Sequence, residues 1–382
     1  MSAPEPAPSG KRVVVLSGFH DYRTPRRASI QPLADACARL GHRVSFVSTR
    51  FSRLSLRSGD SRSFLWDRAN RVETVDGIDC YLWKTPVHPF AARNPALDAL
   101  MGGLFPWFAK LPNATFDDIM RAADYVIVES SVAAIYVPRI RRLNPRCRII
   151  YFATDRLDTH GAHPRVQREL IAAAPMIDHF SLRSAALASE FGWAKDRLYL
   201  ASFGIHAGDF AAIGASPYGT RPTGVSVGSG LFDPDFFVRV APHFPEVDFH
   251  VIGCGRNFAA ASNVYVHAEM RFRDTLAWLK HASFGIAPYV YAVGADYVAE
   301  SSLKLAQFEY LRLPAVTAQF AVGGNPNRWG YAIGDTESMC RAVRAALDHV
   351  GRIVPRHFPS WEEVAAQVLD PGLYPETRIV PA

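Results

Sequence analysis

The feature that most constrains the fold is a short, unbroken apolar run near the start of the chain, RVVVLS at residues 12–17. A polar turn follows it, then a helical pattern over residues 28–40 that ends at Gly41, and then a second apolar run, RVSFVS, at residues 43–48. Strand, helix and strand in this order predict a βαβ unit with two parallel strands. The chain is therefore expected to build a parallel sheet covered by helices.

The same pattern returns further along the chain. More strands are predicted from apolar runs at residues 125–131, 148–155, 248–253, 264–267 and 284–289. Residues 204–223 hold glycines and prolines without any period, which is typical of a connection between domains. We predict an α/β fold with two Rossmann-like domains at residues 11–204 and 205–358, a disordered leader at residues 1–10, and a tail at residues 359–382 whose helix packs back on the first domain.

Composition bounds the class of protein. The 382 residues are 49% hydrophobic and 20% charged, which indicates a globular chain long enough for two cores. The five cysteines are scattered without a C-x-x-C pair and no apolar leader is visible, so we expect a reducing cytoplasm and no structural zinc. No apolar run reaches the roughly 18 residues of a membrane-spanning helix, whereas contact with a membrane surface stays open.

The positive charge is unevenly placed. The formal net charge is +6, and residues 11–60 alone contain ten Lys or Arg against three Asp or Glu. This excess predicts an anionic partner. Phosphate, an acidic sugar, nucleic acid or anionic lipid would each suit the loop at residues 20–27 and the arginines at positions 50, 53 and 57. No nucleic-acid module is recognisable, so nucleic acid is not an expected partner.

A helix that opens with two serines is the first candidate site. Residues 299–313, AESSLKLAQFEYLRL, place Ser301 and Ser302 at the expected N-terminus, with Lys304 and Gln307 following. Unpaired N–H groups and the positive end of the helix dipole, together with hydroxyls and an ammonium, suit a phosphate. The alternative is an ordinary Ser-capped surface helix with a solvated lysine.

The loop after the first strand is the second candidate site, because such loops face the ligand crevice of parallel sheets. Its charged and titratable residues are His20, Asp21, Arg23, Arg26 and Arg27. The loop is not a G-x-G-x-x-G turn, so a dinucleotide fingerprint is unsupported. The alternative interpretation is a solvated, basic start of a helix.

Three more side chains stand at predicted strand ends. Asp155 follows the run RIIYFA, where it either does chemistry or caps the next turn. The hydroxyl of Tyr289 suits a phosphate, and its alternative role is a core aromatic. Glu269 follows the run VYVH, where its carboxylate either accepts hydrogen bonds from a ligand or caps a helix.

An apolar and aromatic segment lies in the first predicted domain. Residues 97–111, LDALMGGLFPWFAKL, combine Leu, Met, Phe and Trp with Lys110. Such a segment is typical of a helix at a membrane interface, and it is equally typical of a core helix. The sequence leaves both interpretations open.

Seven blocks of the sequence together resemble one known family. They are SGFHDYRTPRR at 17–27, YFATD at 151–155, GLFDPDFF at 230–237, HAEM at 267–270, GIAPY at 285–289, ESSLKLAQ at 300–307 and DPGLYPETR at 370–378. In this order they resemble the GumK-like glucuronosyltransferases of xanthan-type exopolysaccharide biosynthesis, from about residue 12 to residue 378.

The resemblance implies a GT-B architecture, with two Rossmann-like domains facing a central cleft, and an inverting transfer that needs no metal or other cofactor. The implied donor is UDP-glucuronate, and the implied acceptor is an oligosaccharide, mannosyl-cellobiose, on a polyprenyl diphosphate. The implied location is peripheral or monotopic, on the cytoplasmic face of the inner membrane.

The resemblance also implies site residues. Asp155 matches the position of the family's proposed general base, and the loop His20, Asp21, Arg23, Arg26 and Arg27 suits the acceptor's diphosphate. The positions that match the UDP pocket are Gly230, Leu231, Glu269, Met270, Tyr289, Ser301, Ser302, Leu303, Lys304 and Gln307. This sequence departs from the family's methionines at Gly230 and Leu303: leucine keeps the volume, whereas glycine removes a side chain.

Other functions stay open at this point. One alternative is a GT-B transferase or epimerase that uses another UDP-sugar, and a second is a non-catalytic sugar-nucleotide-binding partner of a polysaccharide assembly complex. A retaining enzyme with an E-x7-E motif fits less well, because eight residues separate Glu300 from Glu309.

Overall fold

The computed structural model describes residues 10–380 apart from residues 93, 160, 212 and 260. The predicted leader at residues 1–10 therefore lies outside the described residues, except for Gly10. The strands are β1 (Arg12–Ser17), β2 (Arg43–Phe51), β3 (Val72–Val75), β4 (Ile78–Lys84), β5 (Tyr125–Glu129), β6 (Arg148–Ala153), β7 (His179–Leu182), β8 (Leu198–Leu200), β9 (Thr223–Val227), β10 (Asp248–Ile252), β11 (Val264–His267), β12 (Phe284–Ala287), β13 (Ala315–Ala318) and β14 (Arg328–Tyr331).

The strands are joined mostly by helices. These are α1 (Ile30–Arg39), α2 (Arg53–Arg57), α3 (Pro95–Ala109), α4 (Ala114–Ala122), α5 (Val137–Leu143), α6 (Pro164–Ala173), α7 (Ala207–Ala211), α8 (Asp235–Val240), α9 (Phe272–Lys280), α10 (Val298–Ser301), α11 (Leu303–Tyr310), α12 (Thr336–Asp348) and α13 (Trp361–Leu369). Short 3₁₀ segments occur between them, among them Ser63–Arg68. The stretch at residues 51–70, which reads as a loop in the sequence, thus contains both α2 and a 3₁₀ turn.

The first unit comprises the described residues of 10–24, 28–202 and 361–380. Its eight-stranded sheet has the order β3-β4-β2-β1-β5-β6-β7-β8 among the described residues. Every neighbouring pair is parallel except the edge hairpin of β3 and β4. Leu16 faces Val128 and Glu129 faces Phe152, so the ends of β1, β5 and β6 lie side by side.

The second unit comprises residues 25–27 and the described part of Phe203–Ser360. Its six-stranded sheet has the order β11-β10-β9-β12-β13-β14 among those residues, and all of its pairs are parallel. In both sheets the strand order reverses beside the first strand of the unit. The two points of reversal are β1/β5 and β9/β12.

Aromatic side chains fill the core of the first unit below α3. The ring of Trp83 lies 5.2 Å from that of Phe116 and 5.7 Å from that of Tyr136. Phe105 and Phe108 of α3 are buried, whereas Leu97, Leu100 and Trp107 on the same helix are exposed. One face of this helix therefore belongs to the core, and the interfacial interpretation stays a prediction for its exposed face.

The C-terminal tail belongs to the first unit. Helix α13 packs against α1. A ring nitrogen of His179 lies 2.8 Å from the carbonyl oxygen of Val368, and the hydroxyl of Tyr125 lies 3.2 Å from a carboxylate oxygen of Asp370. These contacts tie α13 and the residues after it to β5 and β7.

A pair of histidines lies side by side in the second unit. Nδ1 of His250 on β10 is 2.9 Å from Nε2 of His267 on β11, and both rings pack against Trp278. Burial, and secondly the neighbouring His267, lowers the pKa of His250 to about 4. The folded protein therefore resists protonation of this pair.

This pair predicts a loss of stability in mild acid. In the unfolded chain histidine titrates near pH 6.5, so the unfolded state gains a proton first and stability falls as the pH drops from about 6.5 towards 4. Between pH 7 and pH 5 we expect a loss of about 1–2 kcal/mol, measured by urea unfolding. His250→Gln should reduce the acid loss by about this amount and leave the part that other buried histidines such as His88 contribute, and the exposed control His357→Gln should leave the acid loss unchanged. An unchanged acid loss in His250→Gln would contradict the assignment.

Candidate active site

The carboxyl ends of the strands at the two reversal points carry most of the predicted site residues. Loops that leave adjacent strands there turn in opposite directions and leave a crevice, where open α/β sheets bind ligands. In the second unit these loops follow β9 and β12. In the first unit they follow β1 and β5.

In the second unit, the loops after β9 and β12 are joined by backbone hydrogen bonds. The N–H of Val290 donates to the carbonyl of Leu231 over 2.8 Å, and the N–H of Asp233 donates to the carbonyl of Pro288 over 2.8 Å. These bonds hold Gly230 and Leu231 beside Tyr289. Leu231 has a left-handed φ of 49°, which is strained for a residue with a branched side chain and is tolerated where the surrounding structure fixes it.

The helix expected to open at two serines is broken between them. Ser302 has an extended ψ of 112°, accepts a hydrogen bond from the N–H of Leu305 over 3.2 Å, and begins α11. Ser301 is instead the last residue of the short helix α10, so the interpretation that both serines open one helix was wrong. The hydroxyls of Tyr289 and Ser302 are 2.6 Å apart, which places Tyr289 at the start of α11.

Lys304 lies in the first turn of α11 with its ammonium buried. Its Nζ is 5.3 Å from the centre of the Tyr289 ring and has no hydrogen-bond partner among the described residues. Burial, and secondly the nearby Arg26, lowers the pKa of Lys304 to about 7. Arg26 donates to the hydroxyl of Ser229 over 2.9 Å. An unpaired buried cation beside two hydroxyls and free helix N–H groups forms a site for an anion.

The other residues predicted to bind the donor are Glu269, Met270, Leu303, Gln307 and Gly230. Glu269 is exposed after β11, and a Cβ built on Gly253 would lie 3.3 Å from its Cα, so the loops after β10 and β11 touch. Met270 and Leu303 are half-buried, and Gln307 is largely buried one turn into α11. A Cβ built on Gly230 would meet no heavy atom within 4 Å, so the space of a side chain is open there.

Glu309 is committed to the interior of the second unit. Its carboxylate accepts a hydrogen bond from Nε of Arg328 over 2.9 Å and pairs with Arg356 over 3.2 Å. Arg328 also donates to the carbonyl of Ala299, which precedes the break at Ser302. Glu309 therefore supports the α10–α11 corner, and the near match to an E-x7-E motif marks no ligand.

In the first unit a histidine and a glutamate that sequence reasoning had not paired lie together at β1/β5. Nδ1 of His20 is 2.7 Å from a carboxylate oxygen of Glu129, whose other oxygen accepts the hydroxyl of Ser17. The side chain of Glu129 is 3% exposed, whereas that of His20 is 37% exposed. Glu129 was missed as a candidate, although an acid that ends the apolar run YVIVE was an available signal.

Asp155 lies at the end of the neighbouring strand. The hydroxyl of Ser130 lies 2.9 Å from that of Thr154 and 3.4 Å from the backbone N–H of Asp155, which donates to it. Burial lowers the pKa of Arg183 to about 9, and attraction to Asp155 opposes this shift. Asp155 is thus a half-buried carboxylate that directly follows the contact between Ser130 and Thr154. It lies close to the buried cation of Arg183.

Two members of the basic loop are already paired with each other. Arg23 donates twice to Asp21, over 2.8 Å each time, and once to Glu73 over 2.7 Å, and its side chain is only 2% exposed. The expectation that Asp21 and Arg23 bind an acceptor phosphate is therefore corrected, because their charges neutralise each other inside the protein. Arg26 is exposed and Arg27 is half-buried.

Neither a metal cluster nor a membrane-spanning helix occurs in the part of the chain that the structure describes. No three His, Cys, Asp or Glu residues there are grouped to hold a metal ion. No helix there is long and apolar enough to cross a bilayer.

Two parallel-sheet α/β units with these strand-end loops define the GT-B class of glycosyltransferases. Two solved structures share the fold: the UDP-forming α,α-trehalose-phosphate synthase of Burkholderia xenovorans (TM-score 0.54, 12% identity, 94% of this chain and 96% of that chain) and the catalytic domain of starch synthase IV of Arabidopsis thaliana (TM-score 0.55, 12% identity, 97% and 99%). At this identity the likeness shows the fold alone.

The sequence itself identifies the family. The model of the N-terminal domain of glucuronosyltransferase GumK matches residues 15–183. The UDP-glucuronate:glycolipid 2-beta-glucuronosyltransferase of Xanthomonas campestris pv. campestris is 40% identical over 370 residues, which are 96% of this chain and 92% of that protein. The chain therefore belongs to the GumK glucuronosyltransferase family, and the resemblance noted in the sequence is confirmed.

Proposed function

We propose that this chain is an inverting, metal-independent glucuronosyltransferase that moves glucuronate from UDP-glucuronate to a mannosyl-cellobiosyl diphosphate lipid. The relative's name supports the donor and a glycolipid acceptor. The observation that carries the site is the unpaired, buried ammonium of Lys304 at the start of α11. It supplies the positive charge that a leaving nucleoside diphosphate requires without a metal ion.

The diphosphate of the donor lies over the start of α11 in this proposal. Ser302 and Tyr289 offer hydroxyls, the first turn offers backbone N–H groups, and Lys304 and Arg26 offer positive charge. These groups stabilise the charge that develops on the phosphate oxygens as the bond to the sugar breaks. Binding the anion also removes the cost of burying Lys304 without a partner.

The nucleoside lies towards the loops after β9 and β11. The carboxylate of Glu269 suits the ribose hydroxyls or the uracil N–H, and Met270 offers an apolar surface. A Cβ built on Gly230 would meet no heavy atom within 4 Å, so this side of the pocket is open.

Asp155 acts as the general base. In a single displacement, the acceptor hydroxyl oxygen bonds to the anomeric carbon while the bond from that carbon to the UDP oxygen breaks, and the hydroxyl proton passes to Asp155. UDP leaves with the bonding electrons, and the configuration at the anomeric carbon inverts. The contacts of Thr154 and Asp155 with Ser130 hold the base at the strand end.

His20 binds the acceptor saccharide beside this base. Because Glu129 is a carboxylate acceptor 2.7 Å from Nδ1, the proton of a neutral His20 ring is on Nδ1 and the lone pair is on Nε2. Nε2 can then accept a hydrogen bond from a sugar hydroxyl. Glu129 and Ser17 fix the orientation of the ring.

The alternatives make different demands on the same site. A transferase or epimerase for another UDP-sugar would turn over UDP-glucose at least as well as UDP-glucuronate. A non-catalytic partner would bind UDP without turning over either donor. Comparing the two donors with one lipid acceptor therefore separates all three functions.

Asp155→Asn tests the base. The amide keeps the shape of the side chain and cannot take the proton, so we expect glucuronate transfer to fall about 10²–10⁴-fold while UDP affinity stays the same. Initial rates with the diphosphate lipid and calorimetric titration of UDP measure the two effects. The control is Asp158→Asn, an exposed carboxylate three residues later that pairs with Arg156. Full activity in Asp155→Asn would overturn the assignment.

Lys304→Met tests the diphosphate site. We expect the Kd for UDP to rise about 10–100-fold, because the anion loses a desolvated charge partner. Unfolding should require at least as much urea, because an unpaired buried charge has been removed. In the wild type, UDP affinity should decrease as the pH rises above about 7, where the free ammonium loses its proton. The exposed control Lys280→Met should change neither quantity, and equal losses in both variants would refute the site.

We further propose that the first unit attaches to the cytoplasmic face of the inner membrane. The carrying observation is the outward face of α3, where Leu97, Leu100 and Trp107 are exposed beside Lys110. Exposed apolar side chains at helical spacing with a nearby cation suit the interface of an anionic bilayer. This position would bring the enzyme to an acceptor that is itself anchored in lipid.

Vesicle sedimentation tests this attachment. The double variant Leu100→Ser/Trp107→Ser should lower the fraction bound to anionic vesicles at low salt at least about tenfold, because the apolar contact is lost. Leu373→Ser, an equally exposed leucine outside α3, is the matched control. A wild-type protein that ignores such vesicles, or equal loss in the control, would contradict the proposal.

A further inference from the structure

A bulge interrupts the pairing of β2 with β4 at the carboxyl end of β2. Ser48 faces Leu82, and Phe51 faces Lys84, so β2 advances three residues while β4 advances two. The extra backbone is absorbed at Arg50, which has a left-handed φ of 55°. A bulge of this kind re-aims one side chain, and a non-glycine residue in this conformation costs free energy.

A second arginine holds the bulge in place. The guanidinium of Arg62 donates to the carbonyls of Thr49 and Arg50, over 2.9 and 3.0 Å, which satisfies backbone groups near the bulge. Arg62 is fully buried and is paired with Asp60 over 2.8 Å. Asp60 therefore neutralises the charge of Arg62. The hydrogen bonds from Arg62 stabilise the strained backbone conformation of Arg50.

Arg50 itself lacks such a partner. Its guanidinium lies 5.3 Å from the centre of the Phe19 ring, and it makes no side-chain hydrogen bond or ion pair within the described part of the chain. Burial, and secondly the nearby Arg62, lowers the pKa of Arg50, and attraction to Asp60 opposes this shift. The same two arginines, after burial, lower the pKa of His88 to about 3, so this neighbour is neutral.

The charged groups around the bulge sum to one excess positive charge. Arg50 and Arg62 are cations, Asp60 is an anion, and His88 is hydrogen-bonded to Ser52 over 2.9 Å. By contrast, the buried Arg23, four residues after Phe19, is paired with two acids, Asp21 and Glu73. Because β2 lies beside β1, the unpaired cation sits at the same carboxyl edge of the sheet as the loop of Phe19 and His20.

We propose that Arg50 binds the diphosphate of the lipid-linked acceptor. This assignment rests on the proposed function for the acceptor class, and it replaces Asp21 and Arg23 as the phosphate ligands of the first unit. A guanidinium fork matches two phosphate oxygens at once, and an anion there would neutralise the excess charge of the cluster. The bulge and Arg62 fix the position of the Arg50 backbone before the acceptor binds.

Paired acceptors test the assignment. Transfer rates are measured with the diphosphate-linked trisaccharide and with an alkyl glycoside of the same trisaccharide that carries no phosphate. For Arg50→Met we expect KM for the diphosphate acceptor to rise about 10–100-fold, with little change for the glycoside or for KM of UDP-glucuronate. Arg43→Met, an exposed arginine at the other end of β2, is the control. Arg50→Lys should recover part of the loss.

Stability gives a second readout that a structural arginine would not produce. Because the cation of Arg50 is partly buried and unpaired, whereas methionine keeps the same backbone and carries no charge, Arg50→Met should unfold at the same urea concentration as the wild type or a higher one. A marked drop in stability, an equal loss with both acceptors, or the same loss in Arg43→Met would overturn the assignment. If Arg50→Met loses binding to anionic vesicles but keeps its KM for the acceptor, the site serves headgroups and the proposal is wrong.

Binding of inorganic diphosphate separates this inference from the proposed function. In a Lys304→Met background, which weakens the donor site, diphosphate should still raise the melting temperature, and the added Arg50→Met change should abolish that rise. This result can be obtained even if no donor is turned over. Transfer by the wild type without any diphosphate effect at Arg50 would leave the glucuronosyltransferase in place and remove only this site.

Discussion

Parallel strand pairing is the constraint on which the rest of the structure depends. Apart from the β3–β4 hairpin, every described pair in both sheets is parallel, so each connection must cross back over a face of its sheet. Within each sheet all strands except β3 therefore end at the same edge, and the loops diverge where the strand order reverses. That single geometric rule gathers Ser17, His20 and Glu129 in one unit, and Gly230, Tyr289 and Ser302 in the other.

Within that frame, the two units treat buried cations in two ways. Arg23, Arg62 and Arg328 are each paired with acids and bonded to carbonyls or further acids, so their burial costs little and they brace loops and corners. Lys304, whose ammonium is buried, and Arg50, which is half-buried, have no hydrogen-bonded or ion-paired acid among the described residues. Charge left unbalanced at a strand-end edge is a cost in stability that an anionic ligand can offset, which is the usual trade-off between stability and function at binding sites.

Much of the architecture could be predicted because it depends on local patterns. Apolar runs bounded by turns marked β1, β2, β6, β10, β11 and β12. The family and the GT-B class followed from the resemblance of seven blocks of the sequence, and the position of Asp155 beyond β6 followed from the apolar run RIIYFA before it. The break at Ser302 could not be predicted, because the residues around it are equally compatible with a continuous helix. Helix α2 could not be predicted, because its polar residues are equally compatible with a loop.

The sequence by itself determined which segments are strands and which residues stand at their ends, since burial of an apolar run and the chemistry of a cap act over a few neighbouring residues. Only the tertiary structure decided which of the charged residues are available. The sequence suggests that Asp21 and Arg23 are available to a ligand, but in the structure they are paired with each other. Glu129 is part of a predicted strand, yet it contacts His20, which lies 109 positions away in the chain. The reason is physical: a charge is compensated by whatever lies within a few ångströms of it, and packing, not sequence order, decides what lies there.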